Sequence, residues 1–143
     1  MVRRAVFDRN ILFLCQDNAC LSLIAEAIAR RLSPPRTQVF SAGLKPQGMD
    51  PRVRTIMEEV GINVSSYRPK GLDAIPVRDI DLIIVLGKLG ARPVFPSQIR
   101  CETWPLIDPY QESQLNLETL RTTRDEINNR VAGLFLDYWR NIT

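Results

Sequence analysis

Histidine is absent from this chain, cysteine is scarce, and no long apolar run interrupts the mixture of polar and apolar residues. Each absence excludes something. Without histidine the commonest metal ligand and the usual general base are gone, so neither a metal site nor any other cofactor is expected. Three cysteines, an odd number without a framework spacing, are expected to be reduced thiols of a cytoplasmic protein rather than structural disulfides. With no apolar stretch of spanning length and no signal-peptide pattern, no membrane partner is expected. Charge of neither sign dominates: the net +3 is mild and its basic residues are scattered, which argues against nucleic-acid binding.

What is present is the patterning of a folded α/β chain. At 143 residues the whole chain, 1–143, is expected to form a single domain able to bury a substantial core. Residues 11–14 are continuously apolar, as in a parallel strand covered on both faces. Leu21, Ile24, Ile28 and Leu32 then recur at helical spacing, leaving Glu26, Arg30 and Arg31 to solvent. Residues 37–41 read as a second strand. Pro51 opens a helix through Val53, Ile56, Met57 and Val60, closed by Gly61. Residues 80–86 form a third, fully buried strand, and 99–104 a fourth that ends at Pro105. Residues 87–97, with Gly87, Gly90, Pro93 and Pro96, read as a loop. The last third carries Leu117, Leu120, Ile127, Val131, Leu134 and Tyr138 at helical spacing, predicting one long helix docked on the sheet. Strand and helix alternating in this way predict an α/β three-layer sandwich with a four-stranded parallel sheet.

Ligands of such sheets bind beyond the carboxyl ends of the strands, where Cys15 falls. The run Cys15-Gln16-Asp17-Asn18-Ala19-Cys20-Leu21-Ser22 joins strand to helix. At a helix N-terminus aligned N–H groups favour a thiolate and bind oxyanions, so the Cys15 pKa is expected below its ordinary value, the more so if Ser22 donates to the sulfur.

This run resembles the C-x5-R-S loop of the low-molecular-weight protein tyrosine phosphatases and the thioredoxin-coupled arsenate reductases. Val39-Phe40-Ser41-Ala42-Gly43, Asp50-Pro51-Arg52-Val53, Glu59-Val60-Gly61-Ile62, the strand at 81–86 and Trp104-Pro105-Leu106-Ile107-Asp108-Pro109 are similar to family segments in family order. Phe40-Ser41-Ala42-Gly43-Leu44-Lys45-Pro46 and Arg124-Asp125-Glu126-Ile127 look more like the arsenate reductases. The resemblance implies a phosphotyrosine phosphatase I-like fold. It makes Cys15 the nucleophile, Asp108 the general acid, and Asp17, Asn18, Ala19, Cys20, Leu21 and Ser22 the anion loop. Asn18 would hold the loop's shape, and Cys20 matches a second loop thiol. The implied partners are a phosphotyrosine protein, arsenate or another oxyanion.

Two departures bear on that chemistry. Leu21 stands where the family has its arginine, removing a bidentate cation from the point where a dianion is held. Asp17, at a position commonly glycine, adds a negative charge and is expected to strain a glycine-like backbone conformation. Arginine clamps on phosphoryl groups contribute about 10³ to 10⁵ in rate. Leu21 also extends the apolar stripe of Ile24 and Ile28. A third departure concerns reduction: no cysteine follows the third strand before Cys101, itself expected to be a buried strand residue.

Three functions are compatible with these residues. One is a degenerate relative, weakly active or inactive, that serves by binding a protein or another ligand. The second is a working cysteine-dependent phosphatase or arsenate reductase, passing through a phospho- or arseno-cysteine at Cys15, with Lys45, Lys88 or Arg92 replacing the arginine. The third is a thiol redox protein in which Cys15 and Cys20 form a reversible disulfide.

Overall fold

The computed structural model describes residues 9–106 and 116–140, the last three by backbone alone. Strands β1 (Arg9–Cys15), β2 (Thr37–Gly43), β3 (Leu82–Leu86) and β4 (Arg100–Trp104) form one parallel sheet in the order β2-β1-β3-β4. Helices α1 (Leu21–Leu32), α2 (Pro51–Glu58) and α3 (Leu117–Arg140) complete the α/β frame. β1 and β3 are central and apolar on both faces, and Ile11, Leu12, Phe13, Ile83 and Ile84 are wholly buried. β4 is an edge strand, and this corrects one expectation: Cys101 is exposed, because nothing pairs with or covers its side of the edge among the described residues.

The two faces are covered differently. One carries all three helices, whose Ile24, Ile28, Val53, Ile56, Leu120, Ile127 and Val131 share a core with Ile11, Phe13, Ile84 and Trp104. The other is closed by two single-turn 3-10 helices, Leu72–Ala74 and Val77–Asp79, together with loop residues Leu89 and Phe95. Layers of helix, sheet and short turns therefore make the sandwich, the third layer being thin.

Local chemistry explains the boundaries. Asp50 caps α2 by accepting from the Arg52 amide at 2.9 Å, Pro51 begins the helix, and Gly61 (φ +78°) turns the chain out of it. Between α1 and β2, Arg36 takes a left-handed conformation (φ 69°). In α3 the buried apolar residues are Leu120, Ile127, Val131 and Phe135; Leu117 and Leu134 are only partly covered, and the Tyr138 side chain lies outside the described residues. This helix packs chiefly on α1 and α2 rather than along the sheet, because α1 already occupies the face of β1 and β2.

α1 corrects a second expectation. Every residue from Leu21 to Ala29 is buried, Glu26 included at 3% exposure, while Arg30 and Arg31 face solvent. An amphipathic reading assigns Glu26 to water. In the folded chain residues 66–70 pass over that side of the helix, and Glu26 pairs with Arg30 at 2.6 Å and with Lys70 at 3.7 Å. Burying a charged group is costly unless it is paired and hydrogen-bonded, and these contacts supply both.

Helices α2 and α3 are clasped by charge. Just beyond α2, Glu59 accepts from Arg121 at 2.7 Å and from Arg124 at 2.8 Å, and the Arg124 guanidinium also donates to the Ile56 carbonyl at 2.8 Å. Hydrogen bonds from Arg121 and Arg124 lower the Glu59 pKa from 4.5 to about 2. A carboxyl depressed in the folded state stabilises the fold above pH 4.5, and that contribution is lost as the pH falls from 4.5 toward 2. Thermal unfolding followed by circular dichroism is therefore expected to show Glu59→Gln below wild type near pH 7, with the gap closing on acidification through this window. A gap that stays constant through this window would show that the charge of Glu59 is not what stabilises the contact.

Candidate functional site

The site is built where β1 ends. From Cys15 the backbone turns through residues 16–20 into α1, and its carbonyls are claimed from one side. Those of Cys15, Gln16, Asp17 and Ala19 accept from the amides of Leu44 (3.2 Å), Lys45 (2.8 Å), Gln47 (2.9 Å) and Asp50 (3.2 Å). The Asn18 amide donates to the Cys15 sulfur at 3.2 Å, and the sulfur faces the first turn of α1. The turn requires one left-handed residue, and this is Asn18 (φ 51°), a residue type that tolerates the conformation. The strain expected at Asp17 is thus not present, since the positive φ falls one residue later.

Asn18 is wholly buried, and its side chain determines the direction of a hydrogen-bond chain. Its Oδ1 accepts from the Lys70 amide at 2.8 Å, so its Nδ2 faces the hydroxyls of Ser22 (2.6 Å) and Ser41 (3.1 Å). The Ser41 hydroxyl in turn donates a hydrogen bond to the Glu26 carboxylate at 2.5 Å. Ser22, already accepting from Asn18, is left to donate to the Cys15 sulfur 2.9 Å away. The ammonium of Lys70 lies 3.4 Å from Ser41 Oγ and 3.7 Å from Glu26, so both ends of the chain are charged or ionisable.

The charge on the other side of the sulfur opposes a thiolate. Asp17 folds back into the loop, where its Oδ1 accepts from the Ala19 amide at 3.0 Å and lies 3.7 Å from the Cys15 sulfur. Burial pushes the Cys15 thiol above its ordinary value of 9.0; the Ser22 hydroxyl and the Ser22 and Asn18 amides oppose the rise, and the Asp17 charge adds to it. This reverses the expected depression, because amides and one hydroxyl do not offset the loss of water around a sulfur that is 2% exposed.

The remaining residues of the loop close the space. Leu21 is 5% exposed within the main core, and Cys20, also buried, occupies the N-cap position of α1 without a side-chain capping bond. Cys15, Gln16, Asp17, Cys20, Leu21, Leu86, Gly87 and Lys88 line a cavity of about 20 Å³. That is room for about one water molecule. Of the three basic residues considered as replacements for the arginine, Lys88 reaches this lining; Lys45 and Arg92 are exposed and do not line it. Asp108 lies outside the described residues. Cys101 is on β4, away from this lining.

Several residues were not singled out by spacing. Gln16 accepts from the Gly90 amide at 2.6 Å and ties the loop at 87–97 to the site. Glu26, Ser41 and Lys70 make up the far half of the hydrogen-bond chain. Gly43 is required by contact: a Cβ there would lie 2.6 Å from the Asn18 nitrogen and 2.7 Å from the Asp17 carbonyl carbon. The triplet Ser41-Ala42-Gly43 in a family-like segment was the available sign for two of these, whereas Lys70 left none.

A parallel α/β sheet whose first strand delivers a cysteine into a loop that wraps its sulfur with amides and a helix-borne serine defines a cysteine-loop phosphatase fold. The family model for low molecular weight phosphotyrosine protein phosphatase matches residues 10–142, and the chain belongs to that family. The glutaredoxin arsenate reductase of Synechocystis sp. is 33% identical over 128 residues, covering 88% of this chain and 95% of that protein. The arsenate reductase of Bacillus subtilis is 32% identical over 129 residues, covering 87% and 93% respectively. Among solved structures, an arsenate reductase in the phosphate binding state superposes with a TM-score of 0.77 at 30% identity, over 90% of this chain and 98% of that one.

Two outcomes are expected. Site-resolved alkylation read by peptide mass spectrometry should show the Cys15 rate still rising above pH 9, and Asp17→Asn should move that profile to lower pH. A wild-type plateau below pH 7 would contradict the raised pKa. Gly43→Ala should destabilise the fold by about 1–3 kcal/mol, because the new methyl group meets rigid backbone; chemical denaturation measures this, and an unchanged midpoint would mean that the loop shifts freely.

Proposed function

We propose that this protein is a low-molecular-weight phosphatase and arsenate reductase relative whose anion loop no longer holds an oxyanion, leaving it weakly active or inactive in both reactions. One observation carries the reading: the Asp17 carboxylate accepts from the Ala19 amide inside the loop. A donor that an oxyanion would use is engaged by the loop's own anion, which also repels a second one. Leu21 supports the same conclusion, since an apolar side chain in the core replaces the guanidinium that would clamp a substrate. The small cavity agrees, having no room for a tetrahedral anion without movement of the loop. Such a protein acts by binding, with a protein or a ligand other than a phosphate dianion as partner.

A second reading has an observation of its own. The chain Lys70–Asn18–Ser22–Cys15 is complete, and Lys88 lines the cavity as a cation able to replace the arginine. On this reading Cys15 attacks phosphorus or arsenic, Asp108 protonates the leaving group, and the substrates are the phosphotyrosine or arsenate oxyanions of the family. Reduction through a chain of thiols is the less supported branch, since Cys101 is exposed on the edge strand and away from Cys15.

Turnover of a chromogenic aryl phosphate separates the two. Wild type is expected to show little or none. Leu21→Arg with Asp17→Gly is expected to raise it by several orders of magnitude, removal of one clamp alone being about 10³ to 10⁵. The single change Leu21→Arg should recover only part, because Asp17 pairs with the new guanidinium. Adding Cys15→Ser should abolish the gain. Burying arginine in place of a core leucine forfeits about 1.5–3 kcal/mol, so thermal unfolding of each variant verifies that it is folded. Wild-type turnover at the rate of the restored variant, or a folded double variant no better than wild type, would defeat the proposal.

A further inference from the structure

A second concave site lies on the opposite side of Ser41 from the loop. Arg30 from α1 and the segment Ser66, Tyr67, Arg68 and Lys70 enclose a cavity of about 270 Å³, with Glu26 at its base. This is more than ten times the space beside Cys15. Three cations line it against one carboxylate, and that carboxylate is already engaged by Arg30, Lys70 and Ser41.

The cations are held in place by groups that leave most of their donors unused. Arg30 spends one nitrogen on Glu26 and the Val39 carbonyl, and its guanidinium stacks 5.5 Å over the Tyr67 ring. Arg68 uses Nη1 alone, on the carbonyls of Ser65 and Tyr67. The Lys70 ammonium makes only long contacts, of 3.3 Å to the Arg68 carbonyl, 3.4 Å to Ser41 and 3.7 Å to Glu26. Glu26 offsets one of the three charges, and the other contacts, backbone carbonyls, a hydroxyl and a ring face, orient the side chains without adding negative charge. The side chain of Arg30 is 55% exposed and that of Lys70 30%, so both remain within reach of a ligand from solvent.

We propose that this cavity is an anion-binding site, separate from the Cys15 loop, that takes a small soluble molecule carrying two or more phosphoryl groups. The charge calls for more than one anionic group, since after Glu26 is satisfied two cations are uncompensated. Planar guanidinium groups on two sides match phosphoryl oxygens through paired N–H donors, and Lys70 adds a point charge at the base. The half-buried Tyr67 ring offers an apolar wall to the rest of the molecule. Affinity from such contacts falls with added salt.

The test is a titration of the full chain with inorganic pyrophosphate at constant ionic strength, followed by amide and Arg Nε–H resonances in NMR. Saturable shifts of Tyr67, Arg68, Lys70 and the Arg30 side chain are expected, with inorganic phosphate binding more weakly. Arg68→Gln should weaken binding about tenfold or more, the loss of one charge-assisted contact, and Arg68→Lys should restore part of it. Arg68 is exposed and bonds only to backbone of its own turn, so the fold is expected to survive; an unchanged amide spectrum elsewhere verifies it. Shifts confined to residues 16–22 would place the anion on the Cys15 loop and overturn the proposal. So would the absence of saturation, or an equal affinity in Arg68→Gln.

Discussion

The carboxyl edge of this sheet depends on the side chain of Asn18. It is wholly buried, in a left-handed conformation, and makes three hydrogen bonds that join the β1 loop to α1 through Ser22, to β2 through Ser41 and to the segment before the first 3-10 turn through Lys70. A buried amide in a low dielectric is costly if any of its bonds is unmade, so these elements are held together as a unit. Gly43 makes the arrangement possible by letting the loop backbone lie directly on β2. The loop carbonyls are engaged by the segment at 44–50, and the Asn18 amide donates to the sulfur.

What this frame presents is at odds with itself. The parts that orient Cys15 are intact, since Ser22 and the Asn18 amide both reach the sulfur. Beside them, Leu21 is withdrawn into the core and Asp17 is directed inward, onto the Ala19 amide. Desolvation and a neighbouring carboxylate push the thiol toward its neutral form, and a neutral thiol is a suitable donor to Asp17. Each side chain is well accommodated, and together they form a loop satisfied without a ligand.

Charge in the molecule follows the same logic of local compensation. Buried Glu26 is surrounded by Arg30, Lys70 and Ser41, and Glu59 is held by two arginines across the α2–α3 contact. Around Glu26 the compensation overshoots, leaving a concave surface with excess positive charge and unused donors. Positive charge is thus concentrated beside the loop rather than within it.

Much of this was legible in the sequence. Apolar runs and helical periodicity located all four strands and three helices to within a few residues, because burial on both faces and burial on one leave different periods. The loop motif and the segments after it identified the family, and Asp17 and Leu21 could be placed in the loop by counting from Cys15. Three matters were decided only by the tertiary structure. Glu26 is buried because a distant segment crosses the face of α1, and Cys101 is exposed because its strand lies at an edge; neither is encoded in local periodicity. The sign of the Cys15 shift was settled by how much water the fold removes, a quantity that spacing does not contain. Lys70 and Gly43 matter through contacts with residues far along the chain. The local pattern specifies which elements form, whereas the balance of charge and solvation at the loop depends on what those elements bring together.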